Sequence, residues 1–269
     1  MNKILLVVTT YNQSTYTKLF FESLKKVDEN FDVLVVDDYS SDDTVELCNE
    51  YGYEVITKNE PKGLTHSWNL GYQRFKNSKY DYVIIANNDI LIPNGAISEL
   101  VDSFKMWPYS LIVPLSTKNG AGHNWQFQSV DSYYEGLSPT CDDPNNYQLI
   151  QDNILNIKEE TKKANNLYIL DTIRMKMFNG FFFMMNRKVI NYESSDGVLF
   201  DTNYNMTKNE DIFNWSNLIP NNDFPAICKT SFIFHYKGVS TYEVFDNYGK
   251  ISNDVSEWKR QRSIHDEQN

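Results

Sequence analysis

The first apolar run, KILLVVTTY, is continuous rather than alternating and stops on hydroxyl residues. That is how a strand covered on both faces reads. In the stretch that follows, STYTKLFFESLKKV, residues Leu19, Phe20, Ser23 and Leu24 fall near helical spacing, and Ser14 or Thr15 is placed to cap the helix. The alternation then repeats. FDVLVVDDYSSDDT is a second buried strand ending in acid, and SDDTVELCNEYG is a capped helix closed by Gly52. YEVITKNEP is a third strand and GLTHSWNLGYQRFKNS a helix; YDYVIIANNDILIP is a fourth strand and GAISELVDSFKMW a fourth helix. Such a βα series predicts an α/β fold with a mainly parallel, Rossmann-like sheet flanked by helices, whose ligands bind beyond the carboxyl ends of the strands. Those ends are Thr9 to Asn12, Asp37 to Ser41, Lys58 to Glu60 and Asn87 to Asp89, and most carry oxygen-bearing side chains.

The second half is less regular. SLIVPLS predicts a strand, residues 118–147 a long loop, and YQLIQDNILNIKEETKKANN a helix. MKMFNGFFFMMNRKVI reads as a strand interrupted or preceded by Gly180. KNEDIFNWSNLIP reads as a helix start, AICKTSFIFHYKG as a last strand, and the charged tail as surface. With no internal repeat and no linker, residues 1–269 are expected to form one domain: a first half over 1–115, a C-terminal elaboration over 116–250 and a tail over 251–269.

Composition narrows the function. The 269 residues are 41% hydrophobic and 23% charged, the balance of a soluble globular chain. A net charge of -11 argues against nucleic acid as a partner, because such a protein needs a basic face to displace counterions. A nucleotide ligand stays compatible if a divalent metal supplies the positive charge. The three cysteines show no CxxC and no Cys/His cluster, so neither zinc nor a disulfide scaffold is indicated. Their odd number suits a reducing compartment, and a cytoplasmic location is expected. No apolar run reaches the roughly 18 residues of a transmembrane helix. The 18 Tyr and 16 Phe either build cores or line clefts for sugars and bases.

Read residue by residue, the strand-end acids have two meanings. Asp37 and Asp38 make an Asx turn, or hydrogen-bond a nucleobase or ribose beside a Tyr11 ring placed to stack. Asn87, Asn88 and Asp89 make a polar turn, or a carboxylate corner that holds Mg²⁺ or Mn²⁺ with diphosphate oxygens. Glu210 and Asp211 are first-turn acids opposing a helix dipole, or a general base. His235 is a histidine satisfied on a buried strand, or a contact to metal or diphosphate.

Taken in order, four segments resemble the nucleotide-sugar-binding half of a GT-A glycosyltransferase of the family 2 type. VVTTYNQ resembles that family's opening strand, and VLVVDDYSSDDT its VDDGSxDxT signature. NEPKGLTHSWNLGY resembles its NxGxxxAxNxG segment, with Trp68 at a position usually small, and IIANNDILIP its DxD strand end. Downstream, FNGFFFMMNRKVI resembles the GxxxxxRRxxf strand of rhamnosyltransferase-like members, KNEDIFNW the EDxD helix start, and HYKGVST the HxxGxS segment. The likeness touches residues 4–241, and no motif covers 118–172.

The resemblance implies a transferase moving a sugar from a UDP, GDP or dTDP sugar to a hydroxyl of a glycan or glycoconjugate, inverting and dependent on Mn²⁺ or Mg²⁺. It implies donor binding by Thr9, Tyr11, Asn12, Asp38, Asn69, Asn87 and Asn88, with Tyr11 stacking on the base. It implies metal binding by Asp89 with His235, and catalysis by Asp211 with Glu210 as the alternate base. Aromatic residues such as Trp125 and Trp215 are expected on the acceptor side. Two departures stand out. Asn87 replaces the first acid of the DxD motif, so Asp89 is the only carboxylate there. Tyr39 replaces a glycine, which predicts a loop that does not demand positive φ. Two other classes fit part of the pattern. A nucleotidyltransferase also uses strand-end acids, but needs a basic Gly-rich loop that TTYNQSTY lacks. A degenerate GT-A module would bind nucleotide or glycan without turnover, a reading Asn87 keeps open.

Overall fold

The computed structural model describes residues 2–117, 129–130, 143–164, 172–174, 178–203 and 213–236. The first elements follow the order predicted by the apolar runs: β1 (Ile4–Thr10), α1 (Ser14–Leu24), β2 (Asp32–Asp37), α2 (Thr44–Glu50), β3 (Glu54–Thr57), α3 (Leu64–Lys76), β4 (Tyr82–Asn87), a short β5 (Ile90–Leu91) and α4 (Ala96–Met106). Then come β6 (Leu111–Thr117), β7 (Ser129–Val130), α5 (Tyr147–Ala164), β8 (Thr172–Arg174), β9 (Phe182–Asn186) and β10 (Ala226–His235). The strands form one sheet in the order β3-β2-β1-β4-β9-β6-β10-β5, with β7 on β6 and β8 on β10. The β3, β2, β1 and β4 strands are parallel, β9 runs against β4 and β6, and β6 and β10 are again parallel. Gly180 precedes β9 and does not interrupt it.

The continuous apolar runs are explained by burial on both faces, with side chains alternating strictly between them. On one face Leu5, Val7, Leu34, Val36, Val83 and Ile85 meet Trp68, Tyr72 and Phe75 of α3. On the other Leu6, Val8, Val35, Ile84 and Ala86 meet Phe20 and Phe21 of α1 and Ile97 and Leu100 of α4. The bulky Trp68 is accommodated edge-on between Phe183 and Phe200, with ring centroids 5.2 Å away in each case.

Close approach of α3 to β1 requires a glycine at 71. A Cβ there would collide with Cγ1 and Cγ2 of Val7, which is itself fully buried. Overpacking of this kind costs about 1–3 kcal/mol. Gly71→Ala is therefore expected to lower the unfolding free energy by that amount in a denaturant titration, with an unchanged slope; a loss below about 0.5 kcal/mol, the usual range for neutral surface changes, would contradict the close contact.

Two local expectations are corrected. Neither Ser14 nor Thr15 caps α1, which begins at Ser14 after Asn12 and Gln13 in left-handed backbone (φ 51° and 65°). Its amide at Ser14 donates instead to Asp42 Oδ2 at 3.0 Å, while Asp42 Oδ1 accepts from Thr44 N at 3.1 Å. One carboxylate thus serves the positive ends of both α1 and α2. The loop after β2 does demand positive φ: Tyr39 has φ 68°. The peptides on either side of it are tied down, Asp38 N donating to Thr10 O at 2.8 Å and Ser40 N to Asp37 Oδ2 at 3.0 Å.

Candidate active site

Strand register gathers the candidate residues along one edge. Thr10 lies opposite Asp37 across β1 and β2, and Thr9 opposite Asn87 across β1 and β4. The β2 side is built first by Asp37, fully buried, whose carboxylate accepts from Thr10 Oγ1 and Ser40 N at 3.0 Å each. It is a turn-forming acid. Asp38 is also buried, and its work is longer-range. Oδ1 accepts from Lys58 Nζ at 2.7 Å and Lys62 N at 2.8 Å, and Oδ2 from Gly63 N at 2.8 Å. Lys58 Nζ donates in addition to Gly63 O at 2.9 Å. The ammonium of Lys58 is only 6% exposed as a residue, and burial depresses its pKa below the usual lysine value, against the pull of Asp38 and Asp37. Sequence singled out Asp38 but missed Lys58 as its partner, although Lys58 was visible as a strand-end residue.

Asn12 and Asn69 have scaffold contacts. Asn12 N donates to Ser40 Oγ at 2.7 Å and its Oδ1 accepts from Ser41 N at 2.8 Å, tying the loop after β1 to the loop after β2. Asn69 reaches away, to the chain past β9. Its Nδ2 donates to Phe200 O at 2.7 Å, and its Oδ1 accepts from Leu199 N at 3.2 Å and Phe200 N at 3.0 Å. Thr9 Oγ1 donates to Ala86 O at 3.3 Å. Arg187, the arginine of the RRxxf-like segment, spends its guanidinium on carbonyls of residues 75, 76, 78 and 80 at the end of α3.

The second corner forms where β4 meets β5. Asn88 is buried and turned inward, its Nδ2 donating to Thr17 Oγ1 of α1 at 2.8 Å. Asn87 N donates to Phe181 O at 2.8 Å, and its side chain is half-exposed. Asp89 is 5% exposed, and β5 pairs it directly with the end of β10. His235 stands opposite Ile90, and Tyr236 N donates to Asp89 O at 2.9 Å. His235 Nε2 lies 3.3 Å from Asp89 Oδ1. The alignment is not that of a hydrogen bond, and Oδ1 is buried without one among the described residues. The imidazole is packed flat on Phe181, centroids 4.4 Å apart with 20° between planes. Phe181 therefore steadies both Asn87 and His235, a role that the aromatic run FFF did not announce.

This corner suits a hard divalent cation. A buried carboxylate oxygen without a hydrogen bond is costly in an apo protein unless something else satisfies it. Asp89 and His235 are the described side chains that would hold such a cation here, their nearest atoms being 3.3 Å apart. No group of three or more His, Cys, Asp or Glu is gathered among the described residues, so a cation here would draw further ligands from a phosphate-bearing substrate, the usual habit of Mg²⁺ sites. Trp125, Glu210 and Asp211 lie outside the described residues, as does the side chain of Trp215 in the helical segment Asn214–Leu218.

A mainly parallel α/β sheet with polar strand ends on β1, β2 and β4 and an acidic corner joined to the far strands has the GT-A architecture. The chain belongs to glycosyl transferase family 2, whose model matches residues 5–191. It is 23% identical over 174 residues to the uncharacterized glycosyltransferase YkcC of Bacillus subtilis, covering 60% of this chain and 53% of that protein. The chain thus spans about half the length of this curated relative. Among solved structures, S. aureus TarS is matched with a TM-score of 0.55 at 14% identity, over 90% of this chain and 63% of that one. The mannosyltransferase PcManGT of Pyrobaculum calidifontis, in complex with GDP-Man and Mn²⁺, gives 0.53 at 13%, over 90% and 59%. GalNAc-T7, with UDP, GalNAc and Mn²⁺, gives 0.59 at 13%, over 87% and 44%. These likenesses establish the fold. No helix among the described residues is long and apolar enough to cross a membrane.

Proposed function

We propose that this glycosyltransferase moves a hexose from a nucleoside-diphosphate sugar of the UDP, GDP or dTDP type to a hydroxyl of a glycan or glycoconjugate, with inversion, using Mn²⁺ or Mg²⁺. The observation that carries the reading is the Asp89–His235 pair at the β4–β5 corner, with a buried carboxylate oxygen that makes no hydrogen bond among the described residues. The Mn²⁺ in the PcManGT and GalNAc-T7 complexes supports it. A cation held there supplies Lewis-acid stabilisation of the charge that develops on the leaving diphosphate. Residues 1–115 hold the donor, with Tyr11 against the base, Asp38 and the loop it anchors at the base edge, and Asn87 beside the diphosphate. Asn69 and Asn88 position this half through the contacts described above. Residues 116–250 hold the acceptor, with Trp125 and Trp215 as candidate platforms. Asp211 takes the proton of the acceptor hydroxyl, and Glu210 is the alternate base. The two buried thiols, Cys48 and Cys228, suit work in the reducing cytoplasm.

The test of the base is Asp211→Asn, with Glu210→Gln beside it, assayed for release of nucleoside diphosphate from the sugar donor. Loss of a general base is expected to slow turnover about 10²–10⁴-fold, with nucleoside-diphosphate affinity unchanged. Near wild-type turnover in Asp211→Asn with a dead Glu210→Gln would move the role to Glu210. Near wild-type turnover in both would remove it from this pair.

A further inference from the structure

Tyr39 is anomalous on three counts at once. It sits in left-handed backbone (φ 68°), where a bulky side chain costs roughly 1–2 kcal/mol. Its side chain earns no compensating burial, since the residue is 52% exposed. Among the described residues its hydroxyl makes no hydrogen bond and its ring no aromatic contact. Among the described residues nothing is gained from a tyrosine here, and a glycine would meet the backbone requirement without strain.

Its place in the fold says what the ring can meet. Asp38 N donates to Thr10 O at 2.8 Å, and Asn12 N donates to Ser40 Oγ at 2.7 Å. These two bonds bracket one residue on each loop, Tyr11 after β1 and Tyr39 after β2, and make their backbones neighbours. The β2 strand lies two strands from β4, roughly 10 Å from the Asp89 corner at the usual strand spacing of about 4.8 Å. A ribose and diphosphate span such a gap, so a nucleotide whose diphosphate is at Asp89 brings its base to the Tyr11–Tyr39 mouth.

We propose that Tyr39 is a donor-recognition residue, its ring closing over the nucleobase from the side opposite Tyr11, so that the strain held in the β2 loop is retained for ligand binding. The proposal rests on the nucleoside-diphosphate-sugar reading above. Stacking on an aromatic side chain is tolerant of base identity, so the ring adds affinity for any base, and selection falls to the polar groups around Asp38.

The experiment titrates UDP, GDP and dTDP, each with Mn²⁺, into wild type, Tyr39→Gly, Tyr39→Phe and Tyr39→Trp. Mn²⁺-pyrophosphate, which lacks a base, is titrated in parallel, and each variant's melting temperature is recorded. For the nucleotide the wild type prefers, Tyr39→Gly is expected to weaken binding about 5- to 100-fold, the range of one base–aromatic stack. It should bind Mn²⁺-pyrophosphate as wild type does and melt no lower. Tyr39→Phe and Tyr39→Trp should keep affinity within about threefold, since both retain a stacking face. Wild-type nucleotide affinity in Tyr39→Gly would overturn the proposal while leaving the transferase reading intact. An equal loss in Tyr39→Phe would overturn it in favour of the hydroxyl. Wild type that binds none of the three nucleotides would overturn the transferase reading, and this inference with it.

Discussion

Asp89→Ala is expected to abolish metal-dependent donor turnover, by at least about a hundredfold, the scale of losing one preorganised electrostatic stabiliser in an active site. The same change should leave the metal-free protein as stable as wild type, or more so. Asp89 holds β10 through its backbone carbonyl, which accepts from Tyr236 N and survives the substitution. Its Oδ1, by contrast, is buried 3.3 Å from His235 Nε2 and makes no hydrogen bond among the described residues, and removing such an oxygen relieves a desolvation cost. The predicted signature is therefore double. Mn²⁺ with nucleoside diphosphate raises the melting temperature of wild type by mass action and fails to raise that of Asp89→Ala. Parallel melting curves and a donor-release assay read both halves. A variant that melts far below wild type without metal would mean that the carboxylate is structural, and a variant still activated by Mn²⁺ would place the cation elsewhere.

The second large effect concerns stability at the ends of β2 and β3. Asp38→Ala would strand the ammonium of Lys58, whose side chain is 2% exposed and whose remaining described acceptor is Gly63 O. Breaking one partner out of a buried ion pair costs about 3–5 kcal/mol, far more than the pair itself contributes. For a chain of this size that corresponds to a fall of roughly 10 °C in melting temperature, at about 2–4 °C per kcal/mol. The loop at Lys62 and Gly63 would also lose its carboxylate anchor. Adding Lys58→Met to the variant removes the stranded charge and should recover more than half of the loss, the non-additivity expected of groups in contact. A loss below about 1 kcal/mol in Asp38→Ala would show that the pair is solvated in solution, as surface pairs are.

The legible part of this protein is the part written in local periodicity. Runs such as KILLVV and YVIIA specify strands buried on both faces, and their polar ends are gathered by the strand register along one edge of the sheet. What periodicity does not carry is pairing between distant segments. His235 meets Asp89 only because β5, two residues long, pairs with the end of β10, and nothing in IIANNDILIP advertises a strand that short. Asn69 reads as a donor residue by motif, yet its amide is spent on the backbone of Leu199 and Phe200. The cap of α1 was sought in Ser14 or Thr15, the local candidates, and comes from Asp42 on the neighbouring loop. Tyr39 is the most instructive miss. Replacement of a glycine points to relaxed backbone, but position 39 is left-handed between two hydrogen-bonded peptides, and tyrosine bears the strain.

Incubation of the full chain with UDP-, GDP- and dTDP-hexoses tests the central claim most directly, with release of nucleoside diphosphate followed with Mn²⁺ and again after chelation with EDTA. Slow release from at least one donor class is expected with Mn²⁺, with its disappearance on chelation and its absence in Asp89→Ala. Folded protein that releases nucleoside diphosphate equally well with EDTA would contradict the metal corner, and folded protein that neither binds nor cleaves any of the three donors would contradict nucleotide-sugar transfer itself.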